Sequence, residues 1–332
     1  MMSFLIIQTA FIGDVILATA VAERIHRTHP DARIDIVVRK GNETVLAGHP
    51  FIHRVYVWDK RSKYRDLWRM IREIRKTTYK VVVNLQRFTA SGIMTLAARA
   101  EERVGFDKNP LSAGFTRRYP HRMGTASDPG PHEVDRCLAL VDSFTGPGRD
   151  MPRLYPTTSD EERVALLCDR PYITCSPASV WFTKQWPAAK WVELIRAMPS
   201  HYRIYLLGAP SDRALCDRLA AECRERDVHV LAGELSLLQS AALMRGADMN
   251  YTNDSAPLHL CSAVNAPVSA IFCSTIPAFG FGPLSAVSYC MEVSGDLPCR
   301  PCGVHGHRAC PEGHFKCSEV SLSPLLQVLP KP

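Results

Sequence analysis

The sequence has 332 residues, of which 46% are hydrophobic and 22% charged, so it is long enough for two globular domains with cores of their own. No segment reaches the about 20 consecutive apolar residues that span a bilayer. The apolar start contains Asp14 and no basic region, so it is not typical of a signal peptide, and we expect a cytoplasmic protein. The net charge of +7 favours an anionic partner such as a phosphorylated sugar, nucleic acid or a membrane surface.

Short apolar runs alternate with helix-like segments in the first half of the chain. This alternation predicts an α/β domain with a mostly parallel sheet. The loop after the first run contains only Gly13, so it lacks the GxGxxG pattern of nicotinamide-cofactor sites. The predicted strands are residues 4–7, 34–38, 55–58 and 81–85, and a helix is predicted over residues 14–27.

Residues 60–80 form a basic segment between the third and fourth predicted strands. Nine basic residues stand there against Asp66 and Glu73, and an apolar stripe recurs at helical spacing. The charged face of such a helix is either simply solvated or in contact with anionic lipid headgroups or a phosphorylated acceptor. The stripe consists of Tyr64, Leu67, Ile71 and Ile74.

Residues 105–133 are predicted to form a long basic loop, which in a compact domain is either functional or mobile. A helix is expected over residues 132–145. The Pro- and Gly-rich residues 146–162 are typical of a linker. We therefore place the domain boundary in this linker, with domains over residues 1–155 and 156–332.

The second half repeats the alternation and leads to residues 252–283, which have the features of a ligand site. Asn253, Asp254 and Ser255 favour a helix start, so a helix is expected from Ser255. Its first turn offers unpaired N–H groups to a phosphate, and His259 lies one turn further on the same face. Two α/β domains in tandem are expected to form a cleft where two substrates meet. Further strands are predicted over residues 172–175, 202–207, 228–231 and 268–272, and helices over 188–197, 212–224 and 236–245.

Five short motifs follow one another along the chain: IGD, SPAS running to KQWP, LLGAPSD, NDSAPLH and FGFGP. In these motifs the chain resembles the ADP-heptose:lipopolysaccharide heptosyltransferases, glycosyltransferase family 9, over nearly its whole length. The resemblance implies an α/β protein of the GT-B fold, in which two Rossmann-like domains face each other across a cleft. It also implies that residues 1–155 bind the acceptor and residues 156–332 bind the nucleotide-sugar donor.

The resemblance assigns the catalytic roles to Asp14 and Lys184. Asp14 matches the family's proposed general base, which takes the proton of the acceptor hydroxyl as the oxygen attacks the anomeric carbon. The residues alone leave the alternative that Asp14 only caps the first helix. Lys184 matches a lysine that offsets the charge of the departing diphosphate. The implied reaction is an inverting, metal-independent displacement that requires no cofactor.

The donor site is expected in the second domain. There the start of the helix at Ser255 is expected to hold the diphosphate. Ala256 stands at a position of this motif where most family members have Gly. Three of the expected donor residues have alternative roles. Ser179 is explained equally well as a solvated loop residue, and His259 has the alternative of a purely structural role. Asp212 either contacts the ribose or caps a helix. The expected donor-binding residues are Ser176, Ser179, Asp212, Asp254, Ser255, Ala256 and His259, and the expected acceptor-binding residues are Arg117, Arg118 and Arg122.

The chain has twelve cysteines, and four of them cluster with histidines towards its end, in a segment similar to the cysteine-rich ending of many family members. Four thiolates, or a mixture of Cys and His, would hold a structural zinc ion. Only the first two form a CxxC pair, so unliganded thiols and a redox-dependent pair are the alternatives. The four cysteines are Cys299, Cys302, Cys310 and Cys317.

These features predict an enzyme that moves a heptose from ADP-heptose to the anionic core of lipopolysaccharide, in peripheral contact with the cytoplasmic face of the inner membrane. One alternative is a GT-B enzyme that uses another nucleotide sugar for a surface polysaccharide. The other is a noncatalytic GT-B scaffold that binds polyanions, against which Asp14 and Lys184 together argue. Nucleic acid is not an expected partner, because the basic residues lack interleaved aromatic side chains.

Overall fold

A computed structural model describes residues 2–330. The chain divides into two compact units, of which the first comprises residues up to Met123 together with Pro131–Tyr155. The second comprises Gly124–Gly130 and the residues from Pro156 onward. Each unit contains one six-stranded sheet, and all neighbouring strands run parallel. The predicted α/β class is therefore confirmed.

Among the described residues, the first unit has six strands and five α-helices. Its strands are β1 (Ser3–Gln8), β2 (Arg33–Arg39), β3 (Ile52–Trp58), β4 (Thr78–Asn84), β5 (Arg99–Phe106) and β6 (Arg117–Tyr119). Its helices are α1 (Ile12–Thr28), α2 (Lys63–Ile74), α3 (Thr89–Ala97), α4 (Glu133–Ala139) and α5 (Asp142–Thr145). The strand order β3-β2-β1-β4-β5-β6 is that of a doubly wound Rossmann sheet.

The second unit has the same topology with six further helices. Its strands are β7 (Tyr172–Ser176), β8 (Arg203–Leu206), β9 (Val228–Val230), β10 (Met249–Asn253), β11 (Val268–Phe272) and β12 (Ser288–Glu292). Its helices are α6 (Thr158–Ala165), α7 (Ala188–Ala197), α8 (Arg213–Glu222), α9 (Leu237–Gly246), α10 (Ala256–Ala263) and α11 (Leu322–Gln327). The strand order β12-β11-β10-β7-β8-β9 repeats the Rossmann arrangement.

Each sheet has one switch point, where the connections turn from one edge of the sheet to the other. It lies between β1 and β4 in the first unit and between β7 and β10 in the second. Ligands of open α/β sheets bind in the crevice beyond the carboxyl ends of the strands at this point. Asp14 follows β1, and Asp254 follows β10, so both lie beside a switch point.

The central strands are buried along nearly their whole length. Strands β7, β10 and β11 are fully buried and β1 is buried except at Ser3, as is typical of parallel strands covered on both faces. The end of the described chain adds to the second core, because Cys317, Val320 and Leu325 pack into it. The hydroxyl of Tyr251 on β10 also donates to the Leu325 carbonyl at 2.7 Å.

Some of the predicted elements are wrong. The predicted loop over residues 105–133 contains the short edge strand β6, and β5 before it was not predicted because its charged residues hide the strand pattern. The predicted helix over residues 132–145 is two helices, α4 and α5, and α6 begins inside the predicted linker. Within residues 2–330, no helix is long and apolar enough to cross a membrane.

Candidate active site

Asp14 lies in the first turn of α1, directly beyond the carboxyl end of β1. Its side chain is half-buried. Burial, and after it the nearby charge of Glu133, raise its pKa to about 7 against backbone hydrogen bonds at Phe11 and Asp14 and the charge of Arg87. A role of Asp14 as a helix cap stays a prediction. A carboxyl group with a pKa near neutrality also suits a general base.

Glu133 is the second acid of this site, and it stays ionised. It is 5% exposed, and its Oε2 accepts a 2.7 Å hydrogen bond from Arg136 Nε and lies 3.4 Å from His121 Nε2. Although burial opposes ionisation, the hydrogen bond from His121 and the charge of Arg136 hold the pKa of Glu133 below its ordinary value. The sequence analysis missed Glu133, because nothing local connects a residue of α4 with the start of α1.

Lys184 and Asp254 form a nearly buried ion pair in the second unit. Lys184 Nζ lies 2.6 Å from Asp254 Oδ2, and the side chains are 14% and 7% exposed. Thr275, which follows β11, donates its hydroxyl to the same carboxylate oxygen at 2.6 Å. The loops after β7, β10 and β11 therefore meet at one carboxylate, and the lysine still has two N–H groups to offer.

Trp186 anchors the loop that carries Lys184. It is 2% exposed, and its indole Nε1 donates to the Ser318 carbonyl at 3.0 Å. Its backbone N–H donates to Asn253 Oδ1 at 3.0 Å, and Asn253 Nδ2 donates to the Pro177 carbonyl at 2.8 Å. Asn253, the residue before Asp254, therefore holds both ends of residues 177–186, which we call the Lys184 loop.

The expected donor residues at the helix start lie beside this pair. Ser255 is the N-cap residue of α10 and makes no side-chain cap bond, and Ala256 is the first helical residue. His259 follows one turn later and is 6% exposed. Ser176 is 2% exposed at the end of β7, and its buried Oγ has no hydrogen-bond partner among the described residues. A buried unpaired hydroxyl at a switch point favours a bound polar group.

Ser179 and Asp212 are less clearly placed for a ligand. The carbonyl of Ser179 accepts a 2.7 Å hydrogen bond from Gln185, which holds the loop closed. Asp212 Oδ2 accepts a 2.8 Å hydrogen bond from the Ala209 N–H, but Asp212, the N-cap residue of α8, makes no side-chain cap bond to that helix. The role of Asp212 at a ribose stays a prediction.

The three expected acceptor-binding arginines lie on or after strand β6, which forms an edge of the first sheet. Arg117 pairs with Glu102 at 2.9 Å, and its guanidinium stacks on Phe144 at 5.0 Å. Arg118 is exposed, and the carbonyl of Arg122 accepts a 3.1 Å hydrogen bond from Arg136. Arg118 is therefore better placed than Arg117 to receive an anion.

The four clustered cysteines lie close enough to influence one another. Burial, and after it the neighbouring thiols of Cys302, Cys310 and Cys299, raise the pKa of Cys317 to about 11 against the charge of Arg300. Cys299 Sγ lies 3.9 Å from His314 Nε2. Across residues 2–330, however, no group of three or more His, Cys, Asp and Glu side chains is arranged to hold a metal ion. Structural zinc at these cysteines stays a prediction.

Comparisons with known proteins agree on one family. The family model described as glycosyltransferase family 9 (heptosyltransferase) matches residues 67–312. Lipopolysaccharide heptosyltransferase 1 of Pseudomonas aeruginosa is 28% identical over 327 residues, covering 91% of this chain and 86% of that protein. Lipopolysaccharide heptosyltransferase 3 of Escherichia coli is 25% identical over 283 residues, covering 80% and 82%.

Solved structures show the same fold. E. coli ADP-heptose LPS heptosyltransferase II superposes with a TM-score of 0.77 at 19% identity, covering 98% of this chain and 97% of that one. E. coli heptosyltransferase WaaC with ADP superposes with a TM-score of 0.70 at 21% identity, covering 87% and 92%. These relatives have the GT-B fold, so the predicted fold family is confirmed.

We expect Asp14→Asn to stabilise the protein above neutral pH. The folded protein keeps this proton up to a pKa of about 7, whereas the unfolded chain releases it near the ordinary aspartate pKa of 3.8. The carboxylate therefore makes folding less favourable as the pH rises between these values, by up to about 4 kcal/mol. Thermal unfolding at pH 8 should show a higher Tm for Asp14→Asn than for the wild type, with little difference at pH 4. The exposed Asp31→Asn is the control, and a lower Tm for Asp14→Asn at pH 8 would contradict the expectation.

Proposed function

The chain belongs to glycosyltransferase family 9, the heptosyltransferase family, and from this membership we propose that it moves a heptose from ADP-heptose to a sugar of the lipopolysaccharide core. Its relatives are named lipopolysaccharide heptosyltransferases, and one related structure contains ADP. We propose that the second unit binds the donor and the first unit binds the acceptor.

The observation that carries this proposal is the Lys184–Asp254 pair at the switch point of the second sheet. A diphosphate carries two or more negative charges, and Lys184 supplies a fixed positive charge in a largely water-excluded place. The start of α10 adds the positive end of its dipole, although Pro257 has no N–H group and the Leu258 N–H already donates to the Ser255 carbonyl at 3.1 Å. Ser176 adds a buried hydroxyl without a partner in the described structure. Together these groups fit the diphosphate of a nucleotide sugar.

The proposed reaction is a single displacement. The Asp14 carboxylate takes the proton of the acceptor hydroxyl while that oxygen attacks the anomeric carbon of the heptose. The bond from that carbon to the diphosphate oxygen breaks, and the electron pair leaves with ADP, whose charge Lys184 and the α10 start stabilise. Attack opposite to the leaving group inverts the anomeric configuration. The positive charge that this step needs comes from protein groups, so we propose a reaction that uses no metal.

We further propose that α2 contacts the anionic surface of the inner membrane, where the acceptor resides. Trp68 is 64% exposed, and the exposed Arg65 and Arg72 lie three residues before and four residues after it, on the same helix face. Neither arginine has an acidic partner among the described residues, whereas Arg69 is paired with Asp66 at 2.6 Å. An exposed tryptophan flanked by free arginines suits the interface of an anionic bilayer.

Nucleotide selectivity tests the donor proposal. Isothermal titration with ADP, UDP and GDP should show selective ADP binding, and Lys184→Ala should lower the ADP affinity about tenfold or more, because a charge-assisted contact is lost. Lys190→Ala removes an exposed lysine of α7 that pairs with Glu193, and it should leave binding unchanged. Preference for UDP or GDP would favour the alternative with another nucleotide sugar. Absence of all nucleotide binding would favour the noncatalytic scaffold.

A transfer assay with ADP-heptose and lipopolysaccharide core acceptor tests the roles in the first unit. Asp14→Asn should lower kcat about 100-fold or more and keep the ADP affinity, because only the base is removed. The wild-type rate should rise with pH through about 7, where Asp14 loses its proton. Arg118→Ala should instead raise the acceptor KM at nearly unchanged kcat. Equal losses of ADP and acceptor affinity in Arg118→Ala would contradict the assignment of acceptor binding to this unit.

Vesicle sedimentation tests the membrane contact of α2. The protein should sediment with vesicles that contain anionic phosphatidylglycerol and not with pure phosphatidylcholine, and high salt should release it. The double variant Arg65→Gln and Arg72→Gln should bind about 30-fold more weakly, because each basic residue contributes about 1 kcal/mol. Trp68→Ala should also weaken binding. Leu166→Ala, which removes an 87% exposed leucine of the second unit, is the control. A loss of vesicle binding in this control as large as that in the α2 variants would refute the role of α2.

A further inference from the structure

Residues 302–307, which we call the strap, run from the cysteine cluster across the Lys184 loop. The N–H of His307 donates to Thr183 Oγ1 at 2.8 Å, and the His307 carbonyl accepts from the Thr183 N–H at 3.1 Å. Thr183 is 1% exposed and directly precedes Lys184. The strap therefore bonds the Lys184 loop at Thr183, one residue before Lys184. The bond from the Trp186 N–H to Asn253 holds the same loop two residues after Lys184.

Gly306 brings the strap against the side chain of Lys184. A Cβ atom at Gly306 would lie 2.9 Å from Lys184 Cγ and 3.0 Å from Thr183 Oγ1, and Gly306 has a φ of +76°. Both the close approach and the left-handed backbone therefore require glycine at this position. The backbone of Gly306 thus packs directly against the Lys184 side chain, whose ammonium group pairs with Asp254.

The other end of the strap is fixed to the loop after β11. The N–H of Cys302 donates to the Ser274 carbonyl at 3.0 Å, and the hydroxyl of Ser274 donates to Thr183 Oγ1 at 3.0 Å. His307 Nε2 lies 2.8 Å from the Cys302 carbonyl and must donate to it, so the ring closes the strap into a turn. Ser274 precedes Thr275, the residue that bonds Asp254.

We propose that the strap positions the ammonium group of Lys184 for the donor diphosphate, with Gly306 and Thr183 as positioning residues. This inference rests on the proposed function, because it requires Lys184 to contact the diphosphate. A lysine side chain has four rotatable bonds and loses much of its rotamer entropy when it is fixed. The strap removes that freedom before the donor binds, so the full charge interaction contributes to binding. The strap itself touches no substrate.

Two glycine variants test the proposal. Gly313 has a φ of +73°, nearly that of Gly306, but a Cβ atom there would meet nothing within 4 Å. Gly306→Ala and Gly313→Ala therefore share the backbone strain, and only the first presses on Lys184. Titration with ADP and with adenosine, which lacks the diphosphate, separates an effect at Lys184 from general damage. We expect Gly306→Ala to lower the ADP affinity about tenfold at unchanged adenosine affinity, and Gly313→Ala to change neither.

The coupling of the strap to Lys184 gives a second readout. If the strap acts through Lys184, the variant that combines Gly306→Ala with Lys184→Ala should bind ADP no more weakly than Lys184→Ala alone. Thr183→Val removes the hydroxyl that joins the strap to the loop, so it should lower the ADP affinity as Gly306→Ala does and leave the adenosine affinity unchanged. Thr183→Ser, which keeps a hydroxyl, should have the ADP affinity of the wild type. In the transfer assay, Gly306→Ala should lower kcat and leave the acceptor KM unchanged.

The outcomes separate this inference from the proposed function. Lower ADP affinity in Lys184→Ala, with equal ADP affinities for Gly306→Ala and Gly313→Ala, would overturn the strap alone. Equal losses of ADP and adenosine affinity in Gly306→Ala, or equal ADP affinities for Thr183→Val and Thr183→Ser, would also overturn it. Unchanged ADP affinity in Lys184→Ala would overturn both the donor site and the strap.

Discussion

The arrangement of the second unit depends on the nearly buried ion pair of Lys184 and Asp254. Charges removed from water are stable only when they are paired and hydrogen-bonded, and loss of one partner costs about 3–5 kcal/mol. Both charged groups are held in place by further bonds. Thr275 donates to the Asp254 carboxylate, and the bond between Trp186 and Asn253 holds the loop that carries Lys184. The pair therefore holds an ammonium group in place before any ligand arrives, as the proposed stabilisation of a leaving diphosphate requires.

The two acids of the first unit are separated by their surroundings. Glu133 has Arg136 as a direct partner and stays charged, whereas Asp14 is desolvated beside that charge and has a pKa of about 7. Two carboxylates with pKa values pushed apart commonly divide their roles in catalysis. Here desolvation, and after it the charge of Glu133, raises the pKa of Asp14 and makes its carboxylate the stronger base. The cost is lower stability above neutral pH, as is usual for residues tuned for chemistry.

The sequence predicted the features that depend on local patterns. The parallel sheets, the strand over residues 268–272 and the helix after Ser255 follow from apolar runs and helix-start residues. Strands β6 and β12 were missed, because they are edge strands without a buried apolar run. The pairing of Lys184 with Asp254 and the influence of Glu133 on Asp14 join residues far apart in the chain. Only the fold brings these partners together, so no local pattern predicts them.

The cysteine-rich segment is part of the structure around Lys184 and not an appendage. Ser318, after Cys317, accepts the indole bond of Trp186, and the strap, which begins at Cys302, bonds Thr183. The Lys184 loop therefore lies between two attachments that both belong to this segment. Arg300 extends the link, because its guanidinium donates to the carbonyls of Cys273 and Thr275 at 2.6 and 2.7 Å. The loops after β7 and β11, which carry Lys184 and Thr275, are thus both hydrogen-bonded to the cysteine-rich segment.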